Sequence, residues 1–397
     1  MKDTSLRAYN VWDLRDMAQR RIPKGLFEFV DRGTEDEVAL RNNRAAFERI
    51  KLQTRTLIDV SGRSQAVTLF GKEHRMPIAI APTGSAGLMW YEGELALARA
   101  AAAAGIPFAL ATGSMTAMEK IAEEAGGTLW FQLYMWPDRS LSHKLVERAN
   151  AAGYEGLIVT VDGAVSANRE YNVRNGFTVP LTLTRRNVTD VMMHPRWMFG
   201  VLARYVFTTG MPRYENYPSE LKNRITARPM GKSMMKNDSL NWNDLRELRK
   251  MWPRTLMVKG ILHPQDAVMA ADCGADAVIV SNHGGRNLDS SMAPIEVLPR
   301  VVDAVGGRIP VIVDSGFMRG SDVVKGLALG AKAVLIGRAT LYGTAAAGEA
   351  GAARAIEIYR DEIDRVLALI GRRSVAELDR ECLVPSAWLA PAVNSGP

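Results

Sequence analysis

The sequence predicts an α/β protein: a closed (β/α)8 TIM barrel with N-terminal helices outside it and a long insertion after strand four. Three observations predict this. Short β-branched or apolar runs alternate with Ala-rich amphipathic stretches, eight such runs occur, and polar residues follow almost every one of them. The strands are expected at 77–81, 107–111, 129–133, 157–161, 256–259, 277–281, 310–314 and 333–336. Between them, 92–104, 140–152, 264–273, 294–305 and 321–329 carry the 3.6-residue apolar period of helices packed on a sheet. The region before about Thr68 reads as helices outside the barrel, and 352–370 as a long amphipathic helix. The end of the chain, rich in Pro, Ser and Gly, is expected to be disordered. The chain is thus read as a single domain over 1–397, with helices in 1–68, the barrel in 69–345, an insertion in 181–240 and a helix with a tail in 346–397.

One spacing breaks the rhythm. About 95 residues separate the fourth and fifth strands, and the chain's charge gathers there. Between Leu181 and Lys236 ten Lys and Arg face three acids, an excess equal to the +7 of the whole chain. No nucleic-acid-binding motif accompanies these charges, so nucleic acid is not an expected partner. The two cysteines, Cys273 and Cys382, lie far apart without metal-ligand spacing, which fits a reducing compartment. The polar start Met1-Lys2-Asp3-Thr4 shows no secretory signal, and no apolar run reaches spanning length, so a cytoplasmic location is expected.

Chemistry in a barrel concentrates at the C-terminal ends of the strands. Those ends carry Pro82-Thr83-Gly84, Gln132-Leu133-Tyr134, Thr160-Val161-Asp162 with Arg169 beyond, Lys259-Gly260, Ser281-Asn282-His283-Gly284-Gly285-Arg286, Asp314-Ser315-Gly316 and Gly337-Arg338. The hexapeptide at 281–286 limits the function most. An imidazole able to take a proton near pH 7 stands beside a guanidinium able to grip a carboxylate, which suits a small hydroxy acid. Its two glycines are expected to let backbone approach a flat ligand. The other histidines, His74, His143, His194 and His263, fall in turns or on helical faces, and no second histidine stands at ligand distance from His283, so no metal is expected.

Lys259 admits three readings: a Schiff-base lysine, a phosphate clamp, or a charge beside a cofactor ring. Gly316 and Gly337-Arg338 mark the usual phosphate corner of this fold, suited to a phosphate monoester. Phosphate on one side and lysine on the other place a flat ring across the mouth. That points to FMN rather than NAD, because no strand-coupled GxGxxG is present.

From about Asn10 to Leu383 the sequence resembles the FMN-dependent L-2-hydroxy-acid dehydrogenases and oxidases. The specific motif is Ser281-Asn-His-Gly-Gly-Arg-Asn-Leu-Asp289, supported in order by Trp130-Phe-Gln-Leu-Tyr134, Thr160-Val-Asp162, Val258-Lys-Gly260, Asp314-Ser-Gly316 and Ile336-Gly-Arg338. Ala81-Pro-Thr-Gly84, His194-Pro-Arg-Trp197, Gly210-Met-Pro212 and Gly337-Arg-Ala-Thr-Leu-Tyr-Gly343 look most like the membrane-bound mandelate and lactate dehydrogenases.

The resemblance implies a role for each residue. His283 is the base, held and charge-balanced by Asp162. Arg286 and Arg169 bind the carboxylate, Tyr134 bonds the reacting hydroxyl region, and Lys259 stabilises negative charge on the ring. Gln132, Thr160 and Ser281 contact the ring system, Gly316, Gly337 and Arg338 hold the phosphate, and Pro82, Thr83, Gly84 and Asp314 complete the cofactor site. It also implies a homotetramer on the inner face of the cell membrane and electron transfer to a quinone or another acceptor. An oxidase using oxygen and a degenerate sensor remain as alternatives. The sequence departs from the family pattern at Phe29, where a carboxylate-binding tyrosine is usual, at Ala111 for a flavin-contacting serine, at Met318 for a phosphate-side arginine and at Asn287 for glutamine.

Overall fold

The computed structural model describes residues 7–177, 184–218, 222 and 238–384. The polar start Met1–Thr4, the C-terminal tail and the basic residues Arg224, Arg228, Lys232 and Lys236 lie outside the described residues. Three helices, α1 (Val11–Arg21), α2 (Lys24–Asp31) and α3 (Val38–Arg49), open the chain. Asn10 caps α1 by accepting from the amides of Trp12 and Asp13. A short antiparallel hairpin, β1 (Val67–Leu69) and β2 (Lys72–His74), follows where the sequence showed no strands.

Eight parallel strands then close a barrel: β3 (Ile78–Ile80), β4 (Phe108–Ala111), β5 (Leu129–Leu133), β6 (Gly156–Thr160), β7 (Thr255–Ile261), β8 (Ala277–Val280), β9 (Val311–Val313) and β10 (Ala333–Ile336). β10 pairs with β3 to complete the ring. Each strand falls within two residues of its expected position. β7 runs further, through a register shift between Lys259 and Ile261.

Side chains along a strand alternate between faces, so parity decides what faces the barrel axis. Ala79, Ala109, Trp130, Ile158, Met257, Ala277, Ile279, Ile312, Ala333 and Leu335 form the apolar cluster that fills the interior. Large residues need small neighbours here: a Cβ on Gly156 would lie 2.6 Å from the Trp130 ring. The hairpin closes the bottom, with Leu69 in this cluster and Phe70 edge-on to Trp130 at 6.1 Å. Carried one or two steps toward the C-terminal mouth, the same parity turns Gln132, Tyr134, Thr160, Lys259, Ser281 and Asp314 inward.

The outward residues Phe131, Leu157, Val159, Val258, Val278, Val280 and Val313 join the larger core under the helices. The C-terminal helix begins earlier than expected, at Arg338, and runs to Leu369 across a kink at Ala347 and Gly348. Gly343 and Gly351 pack against each other across that kink so closely that a Cβ on either would overlap backbone of the other.

Candidate active site

The mouth opens into a cavity of about 610 Å³. Phe29, Pro82, Thr83, Gly84, Gln132, Tyr134, Arg169, Lys259, His283, Arg286, Asp314, Gly316, Gly337 and Arg338 all line it. Asp162, Thr160 and Ser281 do not line the cavity and act from behind it. This volume lies within the ~300–1,000 Å³ usual for cofactor and ligand sites.

His283 begins the turn after β8 with φ +58, a left-handed backbone followed by two left-handed glycines. Its amide donates to Ser281 Oγ at 3.0 Å, which fixes the turn. Asp162 lies 3.0 and 3.2 Å from His283 Nδ1 through its two carboxylate oxygens. A carboxylate only accepts, so Nδ1 carries the proton and the Nε2 lone pair is left for the cavity. The Tyr134 hydroxyl donates to that lone pair at 3.2 Å. Burial holds the imidazole below its usual pKa, against the pull of Asp162 and with Lys259 and Arg169 reinforcing the effect. Neutral at pH 7, it is a ready base. Burial works against a charged Asp162, yet the imidazole and Lys259 keep its pKa low.

Asp162 is accommodated by a residue the sequence reading passed over. Gly260 sits at the β7 irregularity with φ +106, and a Cβ there would lie 2.6 Å from the Asp162 Cβ. Asn287 Nδ2 donates to the Asp162 backbone carbonyl at 2.8 Å, holding the loop from the other side. The Lys-Gly pair at a strand end was the available signal.

Lys259 is buried, with Nζ 2.9 Å from Ser281 Oγ and 3.2 Å from Asp314. Burial opposes its charge, but Asp314 and Asp162 outweigh that and raise its pKa. Its pairing with Asp314 favours a charge beside a cofactor ring over a Schiff-base lysine. Ser281 and Asp314 thus position Lys259 from behind and beside the cavity.

The glycines at 284 and 285 have a different purpose from the expected one. A Cβ on Gly284 would lie 2.6 Å from the Arg338 guanidinium, and one on Gly285 would lie 2.6 Å from the Leu40 amide. Their lack of a Cβ lets the turn pack on Arg338 and α3. Arg338 donates to the carbonyls of Val30, Gly284 and Arg32 at 2.8, 2.8 and 3.1 Å, so its side chain ties the mouth together.

Arg286 Nη1 donates to the carbonyls of Phe29 and Arg32, at 2.6 and 3.1 Å, and its guanidinium lies 5.0 Å above the Phe29 ring. Arg169 donates to the Arg286 carbonyl at 3.2 Å. Among the described residues no carboxylate pairs with either arginine. Burial and the Arg169 charge together lower the Arg286 pKa, a cost that an arriving anion relieves. Gly84 and Gly113 have no left-handed backbone, and a Cβ on either would meet nothing closer than 3.4 Å. Both stand in turns that do not require a glycine backbone, and the missing side chains leave space.

The residues fit a flavin. Among the described residues, Gln132 lines the cavity with its Nε2 buried and without a hydrogen-bond partner, where a polar ring system would lie. Lys259 supplies a cation beside it, and the turn at Gly316 opens toward the phosphate corner.

A barrel with a carboxylate-held imidazole, a buried lysine and two unpaired arginines at its mouth defines a cofactor-dependent oxidoreductase. Comparison with known proteins gives the family. The FMN-dependent dehydrogenase profile matches residues 18–385. A (S)-mandelate dehydrogenase from Pseudomonas putida is 42% identical over 379 residues, covering 96% of this chain and 94% of its own. An L-lactate dehydrogenase from Vibrio cholerae is 38% identical, covering 94% of this chain and 98% of its own. The crystal structure of a monotopic membrane protein, (S)-mandelate dehydrogenase, superposes with TM-score 0.90 at 43% identity, covering 95% of this chain and 99% of that one. The chain belongs to the FMN-dependent dehydrogenase family, and FMN is its cofactor.

Proposed function

We propose that this enzyme oxidises an L-2-hydroxy acid with a bulky, aromatic side chain to the 2-keto acid and passes the electrons to a quinone or another non-oxygen acceptor. The observation that carries the reading is the His283 Nε2 lone pair facing a cavity rimmed by Arg169 and Arg286. The two guanidiniums hold the substrate carboxylate, which sets the adjacent carbon against the imidazole. His283 takes the proton released as the alcohol becomes a ketone, and Asp162 stabilises the imidazolium. Tyr134 hydrogen-bonds the substrate oxygen. FMN, when bound, would supply the acceptor for the two electrons and the other hydrogen, and Lys259 would offset negative charge on its ring. Space at Gly84 and Gly113 favours an aromatic substituent over a methyl group. Of the relatives' names, mandelate dehydrogenase agrees with an aromatic substrate, and lactate dehydrogenase agrees with the 2-hydroxy-acid class.

A panel of L-2-hydroxy acids mixed anaerobically with the enzyme tests this reading. Mandelate-type acids should bleach the oxidised flavin band fastest, and a soluble quinone should restore it faster than air. No bleaching by any acid would refute the reaction; faster return in air would favour the oxidase reading.

The membrane reading rests on the insertion. Helices Arg185–Met193 and Arg204–Thr208 flank a short helix, Pro195–Trp197, and a π-helical turn, Met198–Ala203. Its apolar residues divide between two faces. Trp197, Val201 and Tyr205 are buried: the Trp197 indole donates to the Leu88 carbonyl at 2.6 Å, and the Glu92 amide donates to the Tyr205 hydroxyl at 3.0 Å. These three anchor the segment to the barrel.

The opposite face exposes Met192, Met193, Phe199, Val206 and Phe207, the last at 88%, among Arg185, Arg186, Arg196 and Arg204. Among the described residues no helix is long and apolar enough to cross a membrane. An apolar face ringed by arginines suits the interfacial zone of an anionic leaflet. A similar protein described as monotopic supports this. The enzyme should co-sediment with anionic liposomes in a salt-sensitive manner, and Phe199→Ser/Phe207→Ser should weaken that without slowing flavin reduction. Equal partitioning of both proteins would refute it. A homotetramer and a place on the inner face of the cell membrane belong to the same proposal.

A further inference from the structure

Of the cations the sequence pointed to at the phosphate corner, Arg338 lines the cavity. Met318 stands where the family pattern has an arginine. The Arg338 guanidinium is tied to three backbone carbonyls. Arg319 turns away to Glu362, 2.7 Å distant, and does not line the cavity. Yet an arginine does reach this corner, from outside the barrel.

α3 presses directly on the loop after β9. Gly316 has φ +84, and a Cβ there would lie 2.6 Å from the Asn43 carbonyl oxygen. The next residue, Arg44, lines the cavity beside Gly316, Phe317 and Met318. Its Nη1 donates to the Gly316 carbonyl and to Asp322, the latter at 2.6 Å. The guanidinium lies 5.3 Å above the Phe47 ring, which fixes its plane. Arg41, one turn earlier, also lines the cavity but is exposed and donates to the Asp36 carbonyl at 2.7 Å. Arg44 alone combines a fixed guanidinium with contact to the phosphate-corner backbone.

We propose that Arg44 is the cationic partner of the FMN phosphate, supplied by an N-terminal helix in place of the arginine missing at 318. The proposal rests on the phosphate lying at the 314–318 and 337–338 corner. Nearby charges fit the role. Asp322, with a side chain only 3% exposed, accepts from the Met318 and Arg319 amides and pairs with Arg44 on one side, while a phosphate dianion needs a cation on the other. A planar guanidinium with several N–H groups serves both.

The test separates phosphate from ring. Flavin-stripped full-length protein is titrated with FMN and with riboflavin, which lacks the phosphate, and binding is followed by quenching of flavin fluorescence. Arg44→Gln should weaken FMN by about 10- to 100-fold, as expected for a lost hydrogen bond to a charged group, and leave riboflavin unchanged. Exchanging the two side chains in Arg44→Met/Met318→Arg should recover most of the preference for FMN that Arg44→Met alone removes. This comparison stands even if Arg44→Gln does not fold. An unchanged FMN-to-riboflavin ratio in the single variants would overturn the proposal. So would equal losses for both ligands, which would mean that Arg44 only braces the loop. If the parent itself bound riboflavin as tightly as FMN, the phosphate corner would be misplaced, a failure distinct from that of Arg44.

Discussion

Asp162→Asn removes one charge and almost no volume, so it isolates what the carboxylate does for His283. The carboxylate oxygens lie 3.0 and 3.2 Å from Nδ1, and the two side chains are 12% and 22% exposed. Unit charges at that separation interact by about 5 kcal/mol at an effective dielectric of ~20, an upper bound. Partial exposure reduces this, and about 3–4 kcal/mol, or ~10²–10³ in rate, is a reasonable loss when the imidazolium forms. The amide can do further harm by donating to Nδ1, which would move the ring proton to Nε2 and remove the base.

The pH profile supplies the second reading. Neutral His283 is the active form, so flavin reduction is lost as pH falls through its pKa, which burial sets below 6.5. Asp162 is the influence that raises this pKa. In Asp162→Asn the acidic limb should therefore move to still lower pH while the plateau drops. Anaerobic stopped-flow reduction at saturating substrate over a pH series measures both. A plateau and limb left in place would refute the coupling, and so would a limb displaced to higher pH.

Arg286→Lys should raise the substrate concentration for half-saturation by about tenfold or more, because one ammonium cannot hold the Phe29 and Arg32 carbonyls and also bind a carboxylate through two donors; unchanged half-saturation would leave Arg169 to carry recognition alone. Phe29→Tyr returns a hydroxyl beside that guanidinium and should tighten small acids by about 1.5–3 kcal/mol, read as a fall in half-saturation for lactate. Gly113→Trp should reverse the preference between aromatic and short aliphatic acids, since only Tyr214, 3.9 Å from a built Cβ, stands in the way; an unaltered ratio of reduction rates would argue against the roomy pocket.

The barrel was legible because each strand is a short apolar run, rich in β-branched or small residues and bounded by Pro or Gly, and because strand parity then dictates which residues reach the mouth. His283, Asp162, Lys259 and the two arginines lie on those ends, so their convergence followed from the strand positions. What was not legible depends on contacts distant in sequence. Nothing near Gly260 shows that its missing Cβ is filled by Asp162 from the preceding strand. The engagement of Arg338 with residues 30–32 and the approach of Arg44 to Gly316 both depend on where the N-terminal helices dock. The two faces of the insertion are not separable in sequence for a simpler reason. Trp197, Val201 and Tyr205 are as apolar as Phe199 and Phe207, and only the i, i+4 spacing of the first three, laid against the 86–92 segment, separates the anchored face from the exposed one.

The arrangement of charge at the mouth also bears on the order of events. Lys259 has Asp314, and His283 has Asp162. Among the described residues, Arg169 and Arg286 hydrogen-bond to backbone carbonyls and to no carboxylate. Two half-buried cations without a carboxylate are costly, and the lowered Arg286 pKa reflects that cost. A substrate carboxylate removes it and leaves the Asp162–His283 pair untouched, so substrate binding and base strength are set by separate groups. On the proposed reading the Tyr134 hydroxyl joins them: it donates to His283 Nε2 and would turn to the substrate oxygen once an acid binds. Release of that hydrogen bond frees the lone pair only when an acid is in place. Exchange of one partner for the other keeps the buried hydroxyl satisfied at each stage, which gives the site a base that becomes available upon binding.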